Sequence, residues 1–152
     1  MTPNKCASYI LPEFPILLVE DNLDDVLITQ RAMTKGRIRN KLYIAHDGEE
    51  AIDFFKKQGK FKDVPTPTLV LLDLKMPKLD GFGVLKQVKS DENLKSIPII
   101  VLTSSGRDKD IDLAYKLGCN SYIMKPVNFD NFIKTVLSIE YYWLTISKVP
   151  LP

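Results

Sequence analysis

Four consecutive apolar residues, Leu69-Val70-Leu71-Leu72, run straight into Asp73 and then into the turn Leu74-Lys75-Met76-Pro77-Lys78-Leu79-Asp80-Gly81. A strand with one wet face alternates apolar and polar residues. An uninterrupted apolar run instead fits a strand covered on both faces, as in a parallel sheet between layers of helix. Pro77 and Gly81 punctuate the turn that follows. An Asp at the C-terminal end of such a strand stands where open α/β sheets hold their ligands. A lone carboxylate is costly to bury there, so it needs a cation, a metal or hydrogen-bond donors beside it.

Further short apolar runs fit the same frame. Ile16–Val19, Leu42–Ala45, Ile99–Leu102 and Ser121–Met124 read as strands alongside Leu69–Leu72. Between them lie helical patterns at Asp24–Lys35, Glu49–Gln58, Phe82–Ser90 and Lys109–Leu117, each with apolar residues three and four apart. A last helix starts after Asn128, a favourable N-cap. The expected buried stripe of the first helix is Leu23, Val26, Leu27 and Met33. That of the last is Phe129, Phe132, Ile133, Val136, Leu137 and Tyr141. Strict alternation implies an α/β fold of (βα)5 type, a five-stranded parallel sheet, doubly wound, with right-handed crossovers. Lys60–Thr68, with its two prolines, reads as a surface loop.

Composition narrows the function classes. The chain of 152 residues is long enough for one well-cored domain, and Lys+Arg 21 against Asp+Glu 19 leaves a net charge of only +2. The nearest basic cluster, Lys56, Lys57, Lys60 and Lys62, is interleaved with Asp53 and Asp63, and reads as a solvated helix end rather than a nucleic-acid surface. No apolar run approaches the ~18 residues of a membrane span, and Met1 to Glu13 lacks a signal-peptide core. The expectation is a cytoplasmic protein that touches neither membrane nor nucleic acid. Cys6 and Cys119 lack metal-site spacing and read as free thiols, Cys119 as a small filler at a packed turn. His46, the only histidine, has no second ligand near it in sequence and reads as a rim residue.

In a parallel sheet every strand C-terminus points to one edge, and the chemistry-bearing residues gather there. The first strand ends in Glu20-Asp21, the third in Asp73, the fourth in Thr103-Ser104-Ser105 and the fifth in Lys125-Pro126. Three converging carboxylates repel one another and make a seat for a hard divalent cation with oxygen ligands. A hydroxyl and an ammonium complete a site for a phosphoryl group.

Val19-Glu20-Asp21-Asn22, Leu71 to Gly81, Val101-Leu102-Thr103-Ser104 and Tyr122-Ile123-Met124-Lys125-Pro126 together closely resemble the receiver domain of two-component response regulators, and Ala45-His46-Asp47-Gly48-Glu49-Glu50-Ala51 fits the same pattern. The resemblance covers about Pro15 to Leu137 and implies the flavodoxin-like receiver fold. It makes Asp73 the phosphoacceptor of a phosphorelay phosphoprotein. Mg²⁺ (or Mn²⁺) would be held by Glu20, Asp21, Asp73 and the backbone carbonyl of Lys75. Lys125 would pair with the phosphoryl group, with a cis peptide bond to Pro126. Thr103 would be the switch hydroxyl, moving toward the phosphoryl group, and Tyr122 the switch aromatic that follows it inward. Lys75 and Ser105 stand where the family tunes phosphoryl lifetime.

The implied function is a single-domain regulator, no enzyme beyond its own phosphorylation and dephosphorylation. It would be phosphorylated by a sensor histidine kinase or phosphotransfer protein and would signal by contact with a downstream protein. After Lys125 there is length only for the last helix and a tail, none for a helix-turn-helix output. Expected boundaries are an N-terminal tail 1–14, a receiver domain 15–146 with an extended last helix, and a C-terminal tail 147–152. In that extension Tyr141 and Leu144 can continue the buried stripe, which leaves Tyr142, Trp143 and Ile146 as interface candidates for a homodimer. This extension, the loop before the third strand and Thr103-Ser104-Ser105 are similar to the small regulators paired with cyanobacterial phytochromes, members of which dimerise through the last helix.

Two rival readings are weaker. An aspartyl-phosphate phosphohydrolase of the haloacid dehalogenase type needs a second Asp two residues after the first, where Lys75 stands. A pseudo-receiver, a binding module never phosphorylated, predicts a damaged pocket, yet Glu20, Asp21, Asp73, Thr103 and Lys125 are all present.

Overall fold

The computed structural model describes residues 14–143. Its strands are β1 (Ile16–Val19), β2 (Leu42–Ala45), β3 (Leu69–Leu72), β4 (Ile99–Thr103) and β5 (Ser121–Met124). They form one sheet in the order β2-β1-β3-β4-β5, with every neighbouring pair parallel. The helices are α1 (Leu23–Lys35), α2 (Gly48–Lys56), α3 (Gly81–Lys89), α4 (Asp108–Lys116) and α5 (Phe129–Tyr141). Asn22, Asp47, Asp80 and Asn128 cap α1, α2, α3 and α5, each side chain accepting first-turn amides. No helix among the described residues is long and apolar enough to cross a membrane.

The unbroken apolar runs follow from two cores on opposite faces of the sheet. Leu17, Val19, Val70, Leu72, Ile99 and Val101 pack with Ala51, Phe54, Val84, Val88 and Ala114, from α2, α3 and α4. Ile16, Leu18, Leu69, Leu71, Ile100 and Leu102 pack with Val26, Ala32, Phe132 and Val136, from α1 and α5. Successive residues of a strand point to opposite faces, so a strand between two helix layers has no polar position to offer. Cys119 is buried in the first core as a free thiol, as its surroundings in sequence suggest.

Two helices turn differently from their expected faces. In α1, Val26, Thr29, Ala32 and Met33 are buried, whereas Leu23 and Leu27 are exposed. At about 3.6 residues per turn, a stripe centred on 26, 29 and 33 leaves 23 and 27 on the flank away from the sheet. In α5 the buried set is Phe132, Ile133, Val136, Ile139 and Glu140, while Tyr141 falls on the opposite side and is exposed. Phe129, in the first turn, is exposed beside the Arg31 guanidinium, 5.9 Å from its ring centroid. The segment 60–68 is more than a loop: Gly59–Phe61 forms a 3₁₀ turn that drops Phe61 against Phe54, ring centroids 5.3 Å apart.

Candidate functional site

The sheet ladder runs one residue past the strands and fixes the site at their ends. Glu20 N–H donates to Ala45 O, Asp73 N–H to Val19 O and Lys125 N–H to Thr103 O, at 3.0, 3.0 and 2.7 Å. With Val19 in register with Leu72, the side chains of Glu20 and Asp73 follow on adjacent strands at the same height. The turn after Asp73 closes tightly because Gly81 packs on that strand end; a Cβ at Gly81 would collide with the carbonyl oxygen of Asp73. The spacing from Asp73 to Gly81 therefore reflects helix α3 starting hard against the site.

One carboxylate oxygen each from Glu20, Asp21 and Asp73 lies within 4.8 Å of the others. Glu20 and Asp73 are 2% and 7% exposed, whereas Asp21 faces solvent. Lys125 reaches into this cluster and donates to Glu20 Oε1 at 2.6 Å, Asp25 Oδ2 at 2.7 Å and Asp73 Oδ2 at 3.1 Å. Burial and the neighbouring charge of Asp73 push the Glu20 carboxyl up to about 8, against the opposing pull of Lys125. Burial alone would lower the Lys125 ammonium, but its bonds to Asp25 and Glu20 and the charges of Glu20 and Asp73 hold it above the ordinary lysine range.

Four acids around one lysine leave an excess of negative charge in a largely buried pocket. A divalent cation among Glu20, Asp21 and Asp73 would cancel that excess, and an all-oxygen donor set suits a hard ion. The residues present therefore fit a metal.

Thr103 ends β4, fully buried, and its Oγ1 has no hydrogen-bond partner. A hydroxyl rarely stays orphaned in a core, so this one has a donor to spare for a group arriving in the pocket. Tyr122 lies beside Val101 in the sheet, half-buried against the first core, and its hydroxyl donates to Ser105 O at 2.8 Å. The ring is thus already seated inward, tied to the loop that follows Thr103. Lys75 lies in the turn after β3; its amide stands 3.5 Å from Asp73 Oδ1, too long for a strong bond. The Lys125–Pro126 peptide is trans, contrary to the expectation drawn from the resemblance; no cis bond occurs among the described residues. Trans is the intrinsically preferred X–Pro isomer by about 0.5–1 kcal/mol, and with it Lys125 still reaches all three acids.

Sequence reasoning missed Asp25 as a partner of Lys125. It lies in the first turn of α1, where an acid is ordinarily read as complementing the helix dipole. Of the interface candidates, Tyr142 is 49% exposed, while Trp143 is half-buried against the second core and meets Tyr142 edge-on at 5.5 Å. Ile146, with Leu144, lies outside the described residues. His46 is exposed on the rim, its Nδ1 3.3 Å from Glu50 Oε1.

A doubly wound parallel sheet that gathers three carboxylates and a lysine at its C-terminal edge is the arrangement of a signalling receiver. The chain belongs to the response regulator receiver domain family, whose model matches residues 16–137. Response regulator Rcp1 of Synechocystis sp. is 39% identical over 139 residues, covering 91% of this chain and 95% of the relative. The crystal structure of the phosphorylated cyanobacterial phytochrome response regulator RcpA superposes with a TM-score of 0.87 at 37% identity, over 91% of this chain and 99% of that one. The Mn²⁺-bound form of Rcp1 gives 0.86 at 39% identity, over 90% and 99%. The narrower similarity to phytochrome-type regulators thus holds across nearly the whole length of those relatives.

Proposed function

We propose that this response regulator accepts a phosphoryl group on Asp73 from a sensor histidine kinase or phosphotransfer protein, in a reaction dependent on Mg²⁺ or Mn²⁺. It then signals through phosphorylation-dependent contact with a downstream protein. The observation that carries this reading is the Lys125 ammonium, 3.1 Å from Asp73 Oδ2 and shared with Glu20 and Asp25. A phosphoacceptor needs a fixed cation beside the attacking carboxylate, and a merely structural acid cluster does not need a trio this crowded.

A carboxylate oxygen of Asp73 attacks phosphorus as the bond to the leaving group breaks, and the leaving group keeps the electron pair. Lys125 is already placed to neutralise phosphoryl oxygens, and the ladder bonds hold both residues still, so positioning supplies much of the rate. When bound among Glu20, Asp21 and Asp73, with Lys75 as a backbone ligand, a divalent cation supplies charge neutralisation on the transferring oxygens. The phosphorylated site carries about two more negative charges, and the free Thr103 hydroxyl is the buried donor that can turn to them. Because Ser105 O holds the Tyr122 hydroxyl, movement of the 103–105 segment is passed to Tyr122. Phosphorylation biases conformations the protein already samples.

The protein is no enzyme beyond its own phosphorylation and dephosphorylation, and it works in the cytoplasm. It forms a homodimer through the last helix, a reading supported by exposed Tyr141 and Tyr142 on that helix end. Incubation with acetyl phosphate and Mg²⁺, followed by intact mass, tests the function. One added phosphoryl group on wild type, none after chelation and none on Asp73→Asn is the expected result; adduct on Asp73→Asn would contradict it. Size exclusion of the same samples tests the dimer.

A further inference from the structure

A second polar cluster stands at the same edge of the sheet, between Thr103 and α4. Ser105 Oγ donates to Asp110 Oδ2 at 2.5 Å. Arg107 Nε donates to that same oxygen at 3.2 Å, and its Nη2 to Oδ1 at 3.4 Å. Asp110 is buried, yet the Arg107 side chain is 60% exposed. The Ser105 hydroxyl, helped by Arg107, holds the Asp110 carboxyl below the usual carboxylate range. Asp110 is therefore a fixed anion and Arg107 a loosely seated cation tethered to it.

The position of that cation is what gives it a use. Arg107 and Asp110 form one wall of a cleft of about 510 Å³, and Asp21 with Lys75, Met76 and Pro77 forms another. The cleft thus opens beside the metal-ligating acids and the loop that follows the acceptor. A phosphoryl donor approaching it meets a field set by Asp21, Asp25, Asp73 and Asp80 against Lys75 and Lys125, which is net repulsive to anions. A guanidinium at the rim offsets that repulsion, and its planar fork matches two phosphate oxygens.

We propose that Arg107 binds the incoming phosphoryl donor, and that Asp110 holds it in reserve at the mouth of the site until the donor arrives. The inference rests on Asp73 being the acceptor. With acetyl phosphate, an Asp73 oxygen bonds to phosphorus while the phosphorus–oxygen bond to the acyl group breaks, and acetate leaves with the electron pair. Arg107 forms no covalent bond. It grips oxygens of the donor dianion and returns to Asp110 when transfer is complete. Asp110 acts only through Arg107, as a positioning residue.

The test measures initial rates of phosphorylation by intact mass at saturating Mg²⁺, against donor concentration, with acetyl phosphate and with the less charged phosphoramidate. Arg107→Gln should raise the half-saturating acetyl phosphate concentration about tenfold, with little change in maximal rate. The effect should be smaller with phosphoramidate, and Arg107→Lys should recover part of the loss. Asp110→Asn, which frees the guanidinium and keeps a partner for Ser105, should lower the half-saturating concentration. The double variant should match Arg107→Gln alone, because Asp110 has nothing to hold once the arginine is gone. A double variant that returns to wild type would reduce the pair to its net charge and overturn the proposal, as would an Arg107→Gln variant indistinguishable from wild type. Wild type that takes no phosphoryl group from either donor would instead overturn the acceptor reading, and this inference with it.

Discussion

Lys125 reaches from the end of the edge strand β5 across β4 and β3 to Glu20 at the end of β1, and donates to its Oε1 at 2.6 Å. This single contact joins residues 105 positions apart and ties one edge strand of the sheet to β1, three strands away. Both side chains are nearly buried, so the pair is held in a medium that screens poorly.

Replacing Lys125 by Ala leaves Glu20, Asp25 and Asp73 facing one another without their shared cation. Removing one partner of a buried ion pair costs about 3–5 kcal/mol, and some solvent access at Asp25 places this case at the lower end. Urea unfolding in metal-free buffer should show a loss of about 3 kcal/mol, with part regained on adding Mg²⁺. An unchanged midpoint would mean that the acids shed their charge at no cost.

Thr103→Val should separate stability from signalling. The Thr103 hydroxyl is buried and unpartnered, so deleting it removes no native bond and should leave stability unchanged or raise it by about 1 kcal/mol. Asp73 should still be phosphorylated, though more slowly. Hydrogen exchange in 103–110 and at Tyr122 should then no longer respond to phosphorylation. A normal response would remove Thr103 from the switch.

How much of this was readable beforehand depended on what each residue was buried against. Both ends of β1 and β3 were legible because residues covered on two faces leave an unbroken apolar run, and those of the half-buried edge strands β2 and β5 because polar residues bound a short, mostly apolar run. The acids and Lys125 were legible as strand ends, since topology alone brings those ends together. The faces of α1 and α5 were harder to read. Leu23, Leu27 and Tyr141 offered apolar side chains at plausible spacings, and only packing against a neighbouring helix decides which of two overlapping stripes is buried. Asp25 and Asp110 escaped notice because their partners, Lys125 and Ser105, are chosen by tertiary contact or loop geometry, and neither leaves a periodic signal.

Glu140 is the sharpest departure from the pattern, and it makes stability depend on pH. The side chain is fully buried in α5 with neither carboxyl oxygen hydrogen-bonded, and burial pushes its pKa up to about 8. The native state then keeps a proton that the unfolded chain releases near pH 4.3. Stability contributed this way is complete below the unfolded pKa and declines as pH rises from about 4.5 toward 8. Glu140→Gln should flatten that decline and be more stable than wild type at pH 8 by roughly 4 kcal/mol, with little difference at pH 4.5. Parallel wild-type and variant curves from urea titrations across that range would contradict the burial of an unpaired acid.

The central claim is that Asp73 is the acceptor, and locating the phosphoryl group tests it most directly. Protein phosphorylated by acetyl phosphate with Mg²⁺ would be reduced with borohydride, which converts an aspartyl phosphate to homoserine, and its peptides sequenced by mass spectrometry. The account predicts homoserine at position 73 and at no other carboxylate. Homoserine at position 21 or 25, 5-hydroxynorvaline (the reduced glutamyl phosphate) at position 20, or a phosphoryl group stable to borohydride, would contradict it.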